Sequence, residues 1–140
     1  MIWARKVTAE CNAIESRLVA TGESIIFYIN SEQVQQVADL FDQLSKDLFY
    51  FSSSISRITP PASIVDKVTI AVAKLDSAAR TYRDMATAIR DIASTQNSSA
   101  QEIQASIQET QTLGTQANNN TTDGLRALGL LGATSCSNLL

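Results

Sequence analysis

Residues 34–58 read VQQVADLFDQLSKDLFYFSSSISRI, and this stretch decides the fold. Its large apolar residues recur in alternating steps of three and four, at Val34, Val37, Phe41, Leu44, Leu48, Phe51, Ile55 and Ile58. On a helix this spacing forms one apolar stripe along one face, and such a stripe must be buried against other helices. We therefore predict a helix over residues 32–58 that belongs to a helical bundle.

Weaker stripes of the same spacing run through the rest of the chain. They predict helices over residues 4–29, 62–97 and 99–117, and a short helix over residues 125–131. Pro60 and Pro61 end the second helix, because proline is not accommodated in a helix interior. The predicted connections are only a few residues long, so sequential helices should be antiparallel. The prediction is an all-α, single-domain, up-down-up-down four-helix bundle with an irregular C-terminal tail.

The fourth helix is the weakest of the set. We expect it to end near Ala117, because residues 118–124 read NNNTTDG and have low helix propensity for two turns. Capping-box spacing marks the starts of two helices, through Asn30 with Gln33, Ser98 with Gln101, and Ser99 with Glu102.

Composition and charge exclude several classes of protein. The net charge of -3 opposes the binding of nucleic acid, which requires clustered Lys and Arg. The longest wholly apolar run, residues 25–29, is far shorter than the roughly 20 residues of a transmembrane helix. No apolar stretch follows Arg5 and Lys6, so we expect neither a membrane span nor a signal peptide.

The chain also lacks the residues of common catalytic sites. It contains no histidine, and therefore lacks the usual general base and the Ser-His and Cys-His pairs. The pairs Asp39 with Asp42 and Glu102 with Glu109 have spacings that occur on many solvated helices. No glycine-rich phosphate loop is present. We therefore predict a protein that is not an enzyme and holds no metal and no cofactor.

Cys11 and Cys136 are the only cysteines and lie near opposite ends of the chain. Two interpretations are open, a pair of buried reduced thiols or a disulfide that joins the termini. Cys11 lies on an apolar stripe, whereas Cys136 follows Ser135 in a polar tail where core packing does not explain it. We favour the disulfide, and a disulfide indicates an extracytoplasmic protein that is secreted, periplasmic or on the cell surface.

Two binding hypotheses follow from the placement of side chains. The first is an interaction module that recognises a protein partner or a surface. Phe49 and Tyr50 lie off the apolar stripe of the second helix, and exposed aromatic residues are common anchors for partners. The competing interpretation places both side chains in the core.

The second hypothesis is a carrier or sensor of a small apolar ligand. The second helix presents large side chains where the third and fourth helices present small ones, and an elongated apolar cavity between helices would result. Ordinary packing of large against small residues is the competing interpretation. The residues assigned to this cavity are Tyr28, Phe41, Leu44, Tyr82, Thr110 and Gly114.

The end of the first helix is apolar all round, at Ile26, Phe27 and Ile29. Apolar side chains on every face of a helix are normally buried. We expect Ile26 and Phe27 to be covered by an overhanging hairpin of the third and fourth helices.

Overall fold

The computed structural model describes residues 2–31, 33–94 and 99–139, which are helical over most of their length. The helices are α1 (Ile2–Asn30), α2 (Val34–Ser56), α3 (Val65–Ser94), α4 (Ala100–Leu130) and the short α5 (Thr134–Ser137). A single 3-10 turn, Ala62–Ile64, leads into α3. Sequential long helices pack against each other along the chain. The predicted all-α four-helix bundle is confirmed.

The predicted stripes face the interior of the bundle. In α1 the stripe residues Val7, Cys11 and Ile14 are buried, and in α2 Leu48 and Ile55 are fully buried. Together with residues of α3 and α4 these side chains form the main core of the protein. A smaller, separate core contains Val37 and Ala38 of α2 with Ala86 and Ile89 of α3, and Tyr28 and Phe41 pack against it.

Some helix ends differ from the prediction. The helix α2 ends at Ser56 rather than at residue 58, and α3 begins only after the 3-10 turn. The capping box at Asn30 and Gln33 is wrong, because Asn30 still belongs to α1 and Gln33 makes no side-chain capping hydrogen bond. Ser99 does cap α4, since its hydroxyl accepts a hydrogen bond of 3.2 Å from the backbone N–H of Glu102. The alternative cap at Ser98 lies outside the described residues.

The predicted break after Ala117 is wrong, because α4 continues without interruption to Leu130. Packing against α3 outweighs the low helix propensity of residues 118–124. Gly124 is buried where the two helices approach closely, and a Cβ atom there would lie 2.8 Å from Leu75 Cγ. The segment predicted as a separate helix over 125–131 is thus the end of α4, and Leu125 and Leu128 are in the main core.

A disulfide joins the two ends of the chain. Gly132 takes a φ of 114°, a left-handed conformation that favours glycine, and turns the chain from α4 into α5. Cys136 of α5 is bonded to Cys11 of α1, with the two Cα atoms 5.2 Å apart. The disulfide prediction is confirmed, and the tail that was predicted to be irregular contains the short helix that carries Cys136.

The bundle is closed at one end and open at the other. At the disulfide pole, where α1 begins and α4 ends, α5 packs against both of these helices. The opposite end, the open pole, is where α1 leads into α2 and α3 leads toward α4. Among the described residues α1 and α4 make no extended contact with each other. A space between helices is therefore available at the open pole.

Candidate functional site

A cleft at the open pole has a volume of about 710 Å³, more than twice that of any of four other depressions on the bundle. All four long helices or their adjoining turns contribute to it. Its lining consists of Tyr28, Ile29, Gln33, Val34, Val37, Phe41, Met85, Ile89, Thr110, Gln111 and Gly114. Most of these side chains are apolar, and none of the described lining residues carries a charge at neutral pH.

Four of the six residues that were assigned to a cavity line this cleft. They are Tyr28, Phe41, Thr110 and Gly114, which come from three different helices. Leu44 is half-buried in α2 and does not line the cleft. The structure therefore brings together aromatic, hydroxyl and glycine positions that are far apart in the sequence.

Tyr82 lies beside the cleft rather than in its lining. Its ring stacks on Phe41, with the ring centroids 6.0 Å apart and the planes 14° from parallel. Burial raises the pKa of Tyr82 from its ordinary value, and a side-chain hydrogen bond with Thr121 acts in the opposite direction. Tyr82 therefore stays neutral at physiological pH. Its ring packs against the cleft residue Phe41 from outside the lining.

The α4 wall of the cleft contains two small residues, Thr110 and Gly114, beside Gln111. Gly114 has no side chain, and a Cβ atom at this position would lie 3.3 Å from the terminal methyl carbon of Met85. One turn earlier in α4, the Thr110 hydroxyl donates a hydrogen bond of 3.0 Å to the Ser106 carbonyl oxygen. Its oxygen retains the capacity to accept a hydrogen bond from a molecule in the cleft.

Sequence reasoning missed several lining residues. Val34 and Val37 belong to the apolar stripe of α2, and Ile89 belongs to that of α3 with Met85 beside it, so these positions were interpreted as part of the packed helix faces. They could have been identified from their position along the helices, because they lie at about the same distance from the open pole as Gly114. Residues at the same height on antiparallel helices as Gly114 are expected to face the same space.

Apolar side chains are also exposed at the end of α1, next to the cleft residues Tyr28 and Ile29. The expectation that Ile26 and Phe27 are covered by a hairpin of α3 and α4 is wrong, because these residues are 62% and 61% exposed. The Phe27 ring contacts the ring of Tyr28 edge-on, with the centroids 5.2 Å apart. Because α1 does not pack along α4, no described element reaches over the end of α1.

A charged cluster links α2 and α3 near the cleft. The Arg90 guanidinium lies 2.7 Å from a carboxylate oxygen of Asp39 and 2.7 Å from one of Asp42. These two hydrogen bonds raise the pKa of Arg90, which remains a cation. None of the three residues lines the cleft. Asp39 and Asp42, one of the two carboxylate pairs noted in the sequence, therefore form ion pairs with Arg90.

Phe49 and Tyr50, the predicted partner contact, have different surroundings. Phe49 is half-buried and packs against the main core. The guanidinium carbon of Arg83 lies 5.9 Å from the Phe49 ring centroid. The Tyr50 side chain is 72% exposed and stands between two small surface depressions. Of these two residues, Tyr50 is accessible to a partner.

Within the described ranges, no three acidic or cysteine side chains are grouped so that they could hold a metal ion. None of the helices described has both the length and the apolar character needed to cross a membrane. Comparisons of the chain with protein-family models, with curated proteins and with solved structures find no match.

Proposed function

We propose that this protein is a non-enzymatic binding module that carries or senses a small apolar ligand in the cleft at the open pole. The observation that supports this function is the cleft itself. Its volume of about 710 Å³ lies in the range of roughly 300–1,000 Å³ that is typical of small-molecule sites. An apolar lining with a few hydrogen-bonding side chains is also typical of such sites, and bundles commonly bind ligands between their helices.

The disulfide supports an extracytoplasmic location for this function. Disulfides persist in oxidising compartments and are rare in a reducing cytosol. Cys11 and Cys136 are both fully buried, so reductants have little access to the bond between them. A secreted, periplasmic or cell-surface protein is consistent with these observations.

The first prediction tests ligand binding in the cleft. Native mass spectrometry of freshly purified protein is expected to show a retained apolar mass. The neutral fluorescent probe N-phenyl-1-naphthylamine should bind to protein from which this mass has been removed. In Gly114→Leu, the new side chain enters the cleft beside Met85, and we expect the affinity for the probe to fall about tenfold or more.

Gly22→Leu is the matched control, because Gly22 also lies in a helix and a Cβ atom there meets nothing within 4 Å. It should bind the probe as the wild type does. Circular dichroism melts should show that both variants fold. If neither a retained mass nor probe binding is observed in the wild-type protein, the proposed function is rejected.

The second candidate function is recognition of a protein partner through the exposed face of α2. The specific observation in its favour is Tyr50, a large aromatic residue that projects into solvent between two depressions. Tyrosine is among the residues that contribute most to binding at protein interfaces. Phe49 is half-buried, packs against the main core and lines one of these depressions beside Tyr50.

The next prediction separates the roles of these two neighbours. Tyr50→Ser should leave the free energy of unfolding unchanged within about 0.5 kcal/mol, because the side chain is mostly in water. Phe49→Ser should lower it by about 1–3 kcal/mol, because part of a core contact is lost. Urea denaturation measures both values. If sedimentation velocity shows the same self-association for the wild type and Tyr50→Ser, Tyr50 is not a contact between copies of this chain.

A further inference from the structure

The sequence around the open pole is strongly acidic. Residues 18–31, 33–45, 84–94 and 99–114, which form the described parts of the long helices nearer the open pole, contain seven Asp and Glu residues and one basic residue, Arg90. Asp84, Asp91 and Glu109 of this set line a separate depression between α3 and α4. Arg90 is held by Asp39 and Asp42, each at 2.7 Å, and does not line the cleft. An anionic group in the cleft would therefore meet no available cation and would lie in a negative electrostatic field.

The residues outside the described ranges do not supply the missing cation. They are Met1, Glu32, residues 95–98 and Leu140, and none of them is Lys or Arg. Glu32 adds a further carboxylate to the sequence between α1 and α2. Among the described residues, none that lines the cleft is Lys or Arg.

The polar groups that do line the cleft are neutral. Gln33 and Gln111 each carry an amide, which can both donate and accept hydrogen bonds, and Tyr28 carries a phenol. The Thr110 hydroxyl already donates to Ser106, so its oxygen is an acceptor for a ligand. A hydroxyl group, which donates one hydrogen bond and accepts others, matches this set of partners.

We infer that the cleft selects an uncharged apolar alcohol over a carboxylate anion of the same chain length. This inference rests on the proposed function, since it defines the ligand class of the same cleft. An alcohol loses little hydrogen-bonding free energy on entering the cleft, because the Gln, Thr and Tyr side chains replace water as the partners of its hydroxyl. A carboxylate that enters the cleft loses its hydration, and no cation of the lining compensates for that loss.

The test compares decan-1-ol with decanoate, which is ionised at neutral pH. Both compounds displace N-phenyl-1-naphthylamine from the full chain. At an ionic strength of about 10 mM, where charges act over about 30 Å, decan-1-ol should bind about tenfold more tightly than decanoate. The ratio should decrease at high salt, because the field is screened. Each methylene added to the alcohol should increase its affinity about fourfold until the cleft is filled.

A lysine placed in the cleft should reduce this selectivity. In Gln111→Lys a cation joins the lining, and we expect the ratio of the decan-1-ol affinity to the decanoate affinity to fall about fivefold. Gln108→Lys is the matched control, because Gln108 is exposed on the same helix and does not line the cleft. It adds the same charge and should change either affinity less than twofold.

The outcomes separate this inference from the proposed function. If decan-1-ol and decanoate bind equally well at low salt, the selection against anions is wrong and the apolar cleft remains a ligand site. If Gln111→Lys shows the same ratio of decan-1-ol to decanoate affinity as the wild type, the lack of a cation is not the cause of the selectivity. The inference is then overturned. If neither compound displaces the probe, the proposed function fails as well.

Discussion

Removal of the Cys11–Cys136 disulfide should lower the free energy of unfolding by about 4–5 kcal/mol. The bond links residues that are 125 positions apart, so it restricts nearly the whole unfolded chain. In the chain-entropy model the stabilisation grows with the logarithm of the loop length, and a loop of about 100 residues gives nearly 5 kcal/mol. Urea denaturation of the oxidised and reduced protein measures the difference.

The double variant Cys11→Ala with Cys136→Ala is the control for this experiment. It should be destabilised to a similar extent, and a reducing agent should have no further effect on it. The intact mass of the wild-type protein should be two hydrogen atoms below that of the reduced chain. Two thiols that react with an alkylating reagent in the native, air-purified protein would contradict the disulfide and weaken the proposed extracytoplasmic location.

The other large effect is expected at Leu48, in the middle of the apolar stripe of α2. This side chain is fully buried in the main core. Leu48→Ala should cost about 2–5 kcal/mol, because it removes buried methyl groups and leaves a cavity that the neighbouring helices fill only in part. The free energy of unfolding from urea or thermal denaturation measures this loss.

Leu130→Ala is the same substitution at a site that is 83% exposed, at the end of α4. It should change the free energy of unfolding by less than about 0.5 kcal/mol. Equal losses at Leu48 and Leu130 would show that the core of the bundle is not where the apolar stripe of α2 places it.

The arrangement of helices was predictable because helix periodicity is a local property. Residues three and four positions apart share a helix face whatever the rest of the chain does. Thus Leu48, Phe51 and Ile55 could be assigned to the core from their spacing alone, and all three are buried. Pro60 and Pro61 likewise restrict their own backbone and end α2 without help from other elements.

The continuity of α4 was not predictable on these grounds. Local propensity argued for a break at residues 118–124, and contacts with α3 overruled it. Gly124 is the clearest example, because the residue that most weakens the isolated helix is also the one that lets α3 approach closely. Contacts between residues that are distant in sequence are not visible in the spacing of either helix.

The candidate site was predictable in part. Differences in side-chain size between facing helices indicated Phe41, Thr110 and Gly114, which do line the cleft. The opening of the cleft to solvent depends on how far α1 lies from α4, and no local pattern specifies this separation. For this reason the exposure of Ile26 and Phe27 contradicted the expectation.

At the disulfide pole α1 is bonded through Cys11 to Cys136 of α5, whereas the described residues of α1 and α4 make no extended contact with each other toward the open pole. From Cys11 to the end of α1 at Asn30, a helix rises about 28 Å, at about 1.5 Å per residue. By this geometry, a tilt of α1 by about 5° around its disulfide end displaces its far end by about 2.5 Å. Such a tilt would widen the cleft at Tyr28 and Ile29, while the core residue Ile14, three positions from Cys11, would move by only about 0.4 Å.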